Sequence, residues 1–353
     1  MEGELTTAAQ TLKANLAGGT RVFGPILRRL TPSAGYGGVM NDTRRAVLDA
    51  LADGPVPGPA LADDLGVSRA AVWKQVEALR EAGFAVESVD DGYVLAGVPD
   101  YGGPAVAFGL DAPFAVEFHD AVASTNDRAR ALATEGASDV VVLADRQTGG
   151  RGRRGREWSS PTGGVWASLV LRPDLPPARV PLLTLAAAVA VTDAAREAGV
   201  DAAIKWPNDV VVPDATSERG GRKLAGVLTE MEGEASRVSW VVVGTGVNAN
   251  VDPADLDGDA TSVRAEAGAV SRRVFVQRVL ERFDDLRADP AGVLDAWRER
   301  AATIGKRVRV DLGDESVVGE AVDVTEHGAL VVATEDGERV VHSGDCQHLR
   351  PAE

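Results

Sequence analysis

Hydrophobic positions between residues 42 and 97 first follow a helical period and then an alternating one. Three segments have apolar residues at helical spacing and end at a glycine, namely residues 42–54, 57–66 and 68–83. Ser68 is a good N-cap for the third and longest of these helices. Residues 86–97 then form two β-rich runs around an Asp-Gly dipeptide, which predicts a hairpin. This order of elements predicts a winged helix-turn-helix, whose third helix enters the major groove of DNA.

Residues 113–300 alternate between predicted strands and helices. The strands are FAVEFHD, VVVLAD, VWASLVL, AAIKW, KLAGVLTEM and VSWVVVGTGVN, and the helices are TNDRARALATEG, PLLTLAAAVAVTDAAREAG and SRRVFVQRVLERFDDLRAD. Several strand runs are apolar without alternation, which is typical of a sheet that helices cover. The Gly-, Pro- and Ala-rich residues 96–112 predict a linker or an irregular entry into this α/β domain.

The sequence changes in character near residue 301. Short β-rich runs separated by Gly and Asp turns predict a small β-barrel of roughly 50 residues, near the lower limit for independent stability. At the other end, residues 1–40 show weak periodicity and predict a poorly ordered extension, with an arm that docks elsewhere as the alternative. The predicted division is residues 1–40, 41–97, 112–300 and 303–351.

The chain is strongly acidic: 53 Asp and Glu residues oppose 37 Lys and Arg residues, for a formal net charge of -16. An acidic surface with only five lysines fits a protein that stays soluble in concentrated salt, and a compositional bias of the genome is the alternative. The single cysteine excludes an internal disulfide, and four scattered histidines argue against a structural metal site. We recognise no secretory signal and no membrane-spanning run, so we expect a cytoplasmic protein.

Residues 147–158, QTGGRGRRGREW, concentrate positive charge in this acidic chain. Four arginines and four glycines lie between two predicted strands, so the segment is a loop that rises from a sheet. Arginine offers a permanent charge and a rigid fork of donors for phosphate, and glycine lets backbone N–H groups approach an anion. We expect a mobile loop that becomes ordered over a phosphate-bearing reactant. An Arg-Gly segment that binds nucleic acid non-specifically is the alternative.

Residues 203–212, AIKWPNDVVV, form a second candidate site. Lys205 ends a predicted strand, and the stiff Trp-Pro turn presents Asn208 and Asp209 at the edge of the sheet. The lysine can hold phosphate, and the aspartate can accept a proton or bind a magnesium-bound water. A simple turn is the alternative, because Pro, Asn and Asp are all turn formers.

Three further motifs are weak when each is taken alone. Lys223 enters a strand whose small residues would let a ligand lie against the backbone, or it protects an edge strand from aggregation. Asn248 follows the glycines of GTGVNAN at a strand end. Ser124, Thr125 and Asn126 either contact a ligand or only cap the helix that follows them.

Taken in order, STN, QTGGRGRRGREW, KWPND, RKLAG and GTGVN resemble the motifs of biotin–protein ligases. With the preceding winged helix, the chain resembles the bifunctional form, which is also a biotin operon repressor. The resemblance covers roughly residues 42–350. It implies a central class II synthetase-like domain with a mixed sheet and a C-terminal SH3-like barrel. The implied reaction converts biotin and Mg-ATP to biotinyl-5′-AMP and pyrophosphate, and then transfers biotin to a lysine of a biotin carboxyl carrier domain.

The same resemblance implies roles for individual residues. Biotin would contact Ser124, Thr125, Asn126, Gln147, Gly150, Arg151, Gly152, Arg153 and Lys223. ATP or the adenylate would contact Arg151, Arg153, Arg154, Trp158, Lys205, Asn208, Asp209 and Asn248, with Gly244 and Gly246 on the floor of the pocket. Arg153, Lys223 and Asp209 would be catalytic, the last as the base for the acceptor amine. Magnesium would arrive with ATP near Asp209, without a protein-held metal site, and Glu157 stands where a basic residue is expected.

The third helix of the predicted winged domain offers DNA-binding candidates, namely Ser68, Arg69, Lys74 and Gln75. Asp90 and Asp91 on the wing would oppose backbone phosphates. One hypothesis is a ligase that binds operator DNA, with a homodimer that forms on biotinyl-AMP. The second is a ligase whose winged helix does not regulate biotin genes, and the third is a lipoate–protein ligase with the same catalytic fold.

Overall fold

A computed structural model of the protein describes residues 40–349, except residues 215, 216, 218, 219, 235 and 257. The chain forms two compact units, Met1–Pro99 and Asp100–Glu353. The extension predicted for residues 1–40 lies outside the described residues, apart from Met40, and stays a prediction.

The described part of the first unit contains three helices followed by a two-stranded hairpin. The helices are α1 (Asp42–Ala52), α2 (Gly58–Asp64) and α3 (Arg69–Glu81), and the strands are β1 (Ala85–Val89) and β2 (Gly92–Gly97), which pair antiparallel. Ser68 caps α3 as predicted, because its hydroxyl accepts a hydrogen bond from the backbone N–H of Ala71 at 3.1 Å. Gly92 at the hairpin turn has a φ of 127°, and a Cβ there would clash with the Val56 carbonyl. The predicted winged helix-turn-helix is confirmed.

A seven-stranded mixed sheet forms the centre of the second unit. Its strands are β3 (Ala115–Val122), β4 (Val140–Gln147), β5 (Val165–Leu171), β6 (Ala203–Lys205), β7 (Asp209–Val212), β8 (Arg222–Gly233) and β9 (Val238–Val247). They are hydrogen-bonded in the order β3-β4-β5-β9-β8-β7-β6, and β3 and β4 run parallel whereas the other neighbours run antiparallel. Strand β5 is buried along its whole length, which explains why its sequence is almost unbroken in apolar residues.

Helices cover this sheet and lie at its ends. They are α4 (Gly103–Ala107), α5 (Thr125–Thr134), α6 (Pro181–Glu197), α7 (Val263–Ala267), α8 (Arg272–Ala288) and α9 (Pro290–Arg298). Helix α6 packs between β8 and β9 on one side and α8 and α9 on the other. Within the described ranges, the stretch Pro177–Glu197 is the one helix long and apolar enough to cross a membrane, and 72% of its most apolar window is buried inside the fold. Packing in the core accounts for that apolarity.

The segment predicted as a linker or an irregular entry into the α/β domain, residues 96–112, is partly helical. Residues 103–107 form α4, and Ala105 and Val106 on it are buried. Gln277 of α8 holds this segment by donating hydrogen bonds to the carbonyls of Val106 and Phe108, both at 2.8 Å. Composition rich in Gly, Pro and Ala indicated flexibility, but small side chains also permit the close packing seen here.

The C-terminal residues form a five-stranded antiparallel sheet. Its strands are β10 (Arg307–Asp311), β11 (Ser316–Val324), β12 (Leu330–Thr334), β13 (Gly337–Val341) and β14 (Asp345–His348), in the order β13-β12-β11-β10-β14. The buried valines of this sheet belong to the same apolar cluster as the central sheet. Trp206 joins the two, because its indole N–H donates to the carbonyl of Gly328 at 3.0 Å. Because the C-terminal sheet is too small to bury much apolar surface alone, it gains stability from the core that it shares with the central sheet.

His348 on β14 is held at this shared core. Its Nε2 lies 3.1 Å from Thr303 Oγ1, which in turn accepts a hydrogen bond from the backbone N–H of Trp206 at 3.0 Å. Burial, together with the smaller effect of the positive charges of Lys205 and Lys306, lowers the pKa of the His348 imidazole to about 4. The folded protein therefore holds His348 neutral near neutral pH.

Because the pKa of His348 is lowered on folding, the unfolded chain binds its proton at a higher pH than the folded chain. The stability contributed by this residue is present above the ordinary pKa of 6.5 and is lost as the pH falls towards 4. We expect the His348→Gln variant to lose less unfolding free energy than the parent protein between pH 7 and 5, by up to ~2 kcal/mol. Urea unfolding at several pH values measures this difference, and parallel pH profiles for the two proteins would contradict it.

Candidate active site

A cavity of about 450 Å³ opens at one face of the central sheet, within the second unit. Residues that are far apart in sequence line it: the start of α5, the loop after β4, the turn between β6 and β7, and the facing parts of β8 and β9. The lining includes these predicted site residues: Ser124, Thr125, Asn126, Gln147, Arg151, Gly152, Arg153, Arg154, Trp158, Lys205, Asn208, Asp209, Lys223, Gly244, Gly246 and Asn248. The five motifs identified in the sequence therefore meet in one cavity.

Gly150 is the one predicted site residue of the second unit that does not line the cavity. It is buried behind the loop, and its carbonyl accepts a hydrogen bond from the backbone N–H of Trp158 at 3.0 Å. A Cβ on Gly150 would clash with the carbonyl of Trp158. The glycine is needed here for a close approach of two backbone segments, and its contact with a ligand stays a prediction.

One end of the cavity is walled by a hydrogen-bonded polar network around Gln147. The side-chain oxygen of Gln147 accepts hydrogen bonds from the backbone N–H of Thr125 at 2.7 Å and from its hydroxyl at 3.0 Å. The side-chain amide of Gln147 donates to Ser160 Oγ at 2.9 Å. Ser124 caps α5, accepting from the N–H of Asp127 at 3.3 Å. These bonds fix the orientation of the polar groups before any ligand arrives.

Ser168 extends this network from the middle of β5. Its hydroxyl lies 2.6 Å from Asn126 Oδ1 and 2.8 Å from Thr125 Oγ1. The amide of Asn126 donates to Glu230 Oε2 at 2.7 Å, and a Cβ on Gly244 would clash with Asn126. Sequence reasoning missed Ser168, although a serine inside the apolar run VWASLVL was the available signal.

The arginine-rich loop folds as an ordered hairpin at the mouth of the cavity. Arg151 and Glu157 form an antiparallel bridge, and the N–H of Gly152 donates to the carbonyl of Arg156 at 2.8 Å. Arg154 has a φ of 57°, which turns the backbone at the tip of the loop. Glu157 thus stands opposite Arg151 in the hairpin, although a basic residue is expected at its position.

Four arginines of the loop have different partners. Arg151 forms an ion pair with Asp127 of α5, and Arg156 forms one with Asp345 of β14 at 2.6 Å. Arg154 donates to the backbone carbonyl of Asp311 at 3.2 Å. Arg153 donates to Asn208 Oδ1 at 3.0 Å and to the carbonyl of Gly344 at 3.3 Å. Three of the four therefore contact the C-terminal sheet or its turns, on one side of the cavity.

Arg153 is the loop arginine most clearly suited to a bound anion. In the described part of the chain, its hydrogen bonds go to neutral oxygens and to no carboxylate. Burial lowers the pKa of the Arg153 guanidinium, and the nearby charge of Asp209 opposes that shift. A guanidinium remains charged in proteins, so its desolvation would be offset by an anionic group in the cavity.

Lys223, Asp209 and Trp158 form a second charged cluster. Lys223 Nζ lies 2.7 Å from Asp209 Oδ1 and 4.7 Å from the centroid of the Trp158 ring. The indole rests on Gly246, where a Cβ would lie 2.8 Å from its Nε1. That N–H is buried without a hydrogen-bond partner among the described residues.

The base of the cavity carries Lys205 and two asparagines. Lys205 ends β6 as predicted and is 7% exposed. Asn208 donates to the carbonyl of Val227 at 2.9 Å, and Asn248 donates to the carbonyl of Thr261 at 3.0 Å. Cys346 also lines the cavity, but burial raises the pKa of its thiol to about 12, so it remains a protonated, poor nucleophile at neutral pH.

The described residues contain no group of three or more His, Cys, Asp or Glu side chains that could hold a metal ion. Asp209 is a carboxylate that lines the cavity, and it is already paired with Lys223. One carboxylate is the amount of protein ligation typical of a magnesium ion that arrives with a nucleotide.

The predicted DNA-binding residues lie together on the first unit. Arg69 and Lys74 are exposed on α3. The Ser68 hydroxyl is used for capping, and the side-chain oxygen of Gln75 accepts a hydrogen bond from Arg44 Nε at 3.2 Å. Two of the four candidates are thus already engaged within the unit, and their contact with DNA stays a prediction.

Comparison with known proteins gives matches along most of the chain. The biotin/lipoate A/B protein ligase family matches residues 119–248, the biotin protein ligase C-terminal domain matches residues 303–349, and an HTH domain matches residues 43–94. The bifunctional ligase/repressor BirA of Bacillus subtilis is 37% identical over 312 residues, which cover 83% of this chain and 93% of that protein. The biotin–[acetyl-CoA-carboxylase] ligase of Mycobacterium tuberculosis is 36% identical over 245 residues, 64% of this chain and 86% of that protein.

A solved structure agrees with these relatives. The biotin protein ligase from Aquifex aeolicus in complex with biotin and ATP matches with a TM-score of 0.56 and 27% sequence identity, covering 67% of this chain and 99% of that one. The motif residues line one cavity here, and the sequence similarity extends over nearly the full length of the Bacillus relative. This chain belongs to the biotin–protein ligases of the biotin/lipoate A/B protein ligase family.

Proposed function

We propose that the protein activates biotin with ATP to biotinyl-5′-AMP and transfers biotin to a lysine of a biotin carboxyl carrier domain. The observation that carries this proposal is one cavity lined by the cationic loop and by the polar residues around Gln147, with Arg153 and Lys223 also in its lining. Such a site can hold a neutral ring system at one end and a phosphate at the other. The remaining acidic surface keeps the protein soluble.

In the first step, an oxygen of the biotin carboxylate attacks the α-phosphorus of ATP, and the bond to pyrophosphate breaks. The substrate supplies the nucleophile, so the protein acts by positioning and by charge stabilisation. The network around Gln147 and Thr125 is suited to the ureido ring of biotin, because it presents oriented donors and acceptors. Arg153 and Lys223 stabilise the negative charge that develops at the carboxylate–phosphate junction.

In the second step, the carrier lysine attacks the acyl carbon of the mixed anhydride, and the bond to AMP breaks. The attacking amine must lose a proton, and we assign Asp209 as its acceptor. Asp209 is the first residue of β7, and its Oδ1 lies 2.7 Å from Lys223 Nζ. The carboxylate is therefore beside the carboxylate–phosphate junction that Lys223 would contact. Lys205, Asn208 and Asn248 face the nucleotide, and Trp158 covers the adenine. Magnesium enters as part of Mg-ATP, near Asp209.

The enzymatic proposal has a direct test. The protein is incubated with labelled biotin, Mg-ATP and a carrier domain, and the label is expected on the carrier lysine only when ATP is present. Parallel reactions with lipoate in place of biotin address the lipoate–protein ligase alternative. Transfer of lipoate and not biotin, or no label on any carrier, would contradict the proposal.

We propose further that the loop is positioned for catalysis by the C-terminal sheet. Arg156 pairs with Asp345 at 2.6 Å, while Arg153 and Arg154 donate to backbone carbonyls of the same sheet or its turns. These contacts hold the tip of the loop beside the base of the cavity. Through these contacts, a change in the C-terminal sheet should alter ATP binding, although that sheet is far from the ATP motifs in sequence.

The Asp345→Asn variant should raise the KM for ATP about two- to fivefold, because an exposed ion pair contributes ~0.2–1 kcal/mol. Its kcat should change little, since no group that touches the reacting atoms is removed. The effect should shrink in high salt, where the pair is already screened. Asp311→Asn is the matched control, because Arg154 bonds the backbone carbonyl of Asp311 and not its side chain. An unchanged KM for Asp345→Asn at low salt would contradict the positioning role.

The first unit makes the protein a DNA-binding repressor as well as a ligase in this proposal. Operator DNA is contacted by Arg69 and Lys74 on α3, and a homodimer forms when biotinyl-AMP is bound. We assign residues 41–97 to the winged domain, residues 112–300 to the catalytic domain and residues 303–351 to the C-terminal domain, in a cytoplasmic protein. A mobility shift of the fragment upstream of biotin genes should require biotin and ATP. No shift at the ionic strength of the cell would favour a ligase whose winged helix is not regulatory.

A further inference from the structure

The first half of α3 exposes a large aromatic side chain to solvent. Trp73 is 57% exposed, more than any other large apolar side chain that the structure describes; Met231 and Val340 follow at 49%. The buried face of the same helix is formed by Val72, Val76 and Leu79. Trp73 therefore projects away from the core of its unit, and the fold does not need it for packing.

The surroundings of Trp73 identify the kind of partner that would cover it. Residues 69–74 carry two cations, Arg69 and Lys74, and no carboxylate, in a chain whose net charge is -16. The acidic side chains of α3 lie in its second half, where Glu77 is paired with Arg80 at 2.6 Å. A cationic patch around one aromatic residue, at the N-terminal half of a helix-turn-helix third helix, is complementary to duplex DNA.

Two polar side chains at this helix already have hydrogen-bond partners within the unit, so they are less available to contact base edges. The Ser68 hydroxyl caps the helix, and the Gln75 oxygen accepts from Arg44. Ala70, one turn before Lys74, is exposed and small, so the helix can approach the base edges closely. The distinctive apolar group in the major groove is the 5-methyl of thymine, which apolar and aromatic side chains contact.

We propose that Trp73 packs on a thymine methyl in the major groove of the operator and thereby selects A·T at that position. This inference rests on the proposed DNA binding and adds the residue and the base it recognises. Arg69 and Lys74 would supply affinity for backbone phosphates without selecting sequence. Trp73 was not among the DNA-binding residues predicted from the sequence, because periodicity alone made it one more apolar residue of a helix.

The test begins with the parent protein, biotin, ATP and a pool of duplexes with a randomised 30-bp centre. The enriched duplex is then made with each thymine in turn replaced by deoxyuridine, which removes only the methyl group. We expect one position where deoxyuridine weakens binding about fivefold or more, the scale of a single lost base contact. This measurement needs no variant of the protein.

Trp73→Ala should weaken binding of the enriched duplex about tenfold and of an unselected duplex less than about twofold, because phosphate contacts remain. At the sensitive position, deoxyuridine should then cause no further loss with Trp73→Ala. Trp73→Phe should keep part of the preference. Val340→Ala, another exposed apolar residue, is the control and should bind both duplexes as the parent does. Retained binding of the unselected duplex by Trp73→Ala shows that the winged unit is folded, and unchanged biotin transfer shows the same for the catalytic unit.

Several outcomes would overturn this inference. If Trp73→Ala keeps the full preference for the enriched duplex, Trp73 does not recognise a base, although the DNA-binding proposal survives. Additive losses from Trp73→Ala and deoxyuridine would also contradict a direct contact. If Trp73→Ala instead slows biotinylation of the carrier, the surface serves a protein partner. If no duplex is enriched by the parent protein, the DNA-binding proposal itself fails, and this inference fails with it.

Discussion

Replacing Lys223 by alanine should slow formation of biotinyl-AMP by about 10²–10³-fold, the scale of losing one positioned charge-stabilising group. In the folded chain, Lys223 Nζ lies 2.7 Å from Asp209 Oδ1 and over the Trp158 ring, in the wall of the cavity. Without the ammonium group, the Asp209 carboxylate would face the carboxylate and phosphate of the reactants uncompensated. Quenched-flow measurement of pyrophosphate release, with saturating biotin and Mg-ATP, separates this step from transfer to the carrier.

Two further variants define what Lys223 does. Lys306→Ala, which removes an exposed lysine outside the cavity lining, is the matched control and should leave the rate unchanged. The double variant Lys223→Ala with Asp209→Asn removes both charges of the pair. If the double variant recovered most of the parent rate, Lys223 would act only by neutralising Asp209, and its proposed role at the reacting atoms would be wrong.

The second large effect is expected at Arg153. Arg153→Ala should lower kcat/KM for ATP by about 10²-fold or more, because a partly buried guanidinium that bonds neutral oxygens is held for an anionic ligand. Arg153→Lys should recover only a small part of this loss, since an ammonium group lacks the planar fork that binds two oxygens of a phosphate. Steady-state kinetics with varied ATP measure both variants, and thermal unfolding verifies that each is folded.

Arg179→Ala is the control for this experiment, because Arg179 is exposed and lies outside the residues that line the cavity. It should retain the parent kcat/KM. Full activity of Arg153→Lys would show that a point charge is sufficient there, and the proposed bidentate contact would be wrong. A loss confined to carrier transfer, with normal adenylate formation, would move the role of Arg153 from the first step to the second.

The loop that carries Arg153 is also expected to protect the biotinyl-AMP intermediate from water. The hairpin between Arg151 and Glu157 lines the cavity, and its ion pairs to Asp127 and Asp345 are at the protein surface. Exposed pairs are weak, so the loop can open and close at low cost. The glycines that allow this hairpin also make it costly to order, and its stabilisation by a bound ligand stays a prediction.

The sequence by itself determined the local features of this protein. Ser68 is predicted as a helix cap, and capping is one of the two alternatives for Ser124; the structure gives both side chains that function. The ordered motifs, from the serine at the start of α5 to Asn248, predicted which residues line the cavity, and Gly150 is the exception. Such features depend on residues a few positions apart, and helix capping and strand ends follow from short-range hydrogen bonding and sterics.

Only the tertiary structure decided which distant residues complete the site. The contact of Arg153 with Gly344 spans 191 residues, and that of Arg156 with Asp345 spans 189. Ser168 reaches the polar network because β5 lies in the middle of the sheet. The buried valines of the C-terminal strands share one apolar cluster with the central sheet, which the sequence did not indicate. Contacts of this kind arise when packing of a shared core brings strand ends together, and no pattern within a short window of sequence encodes that arrangement.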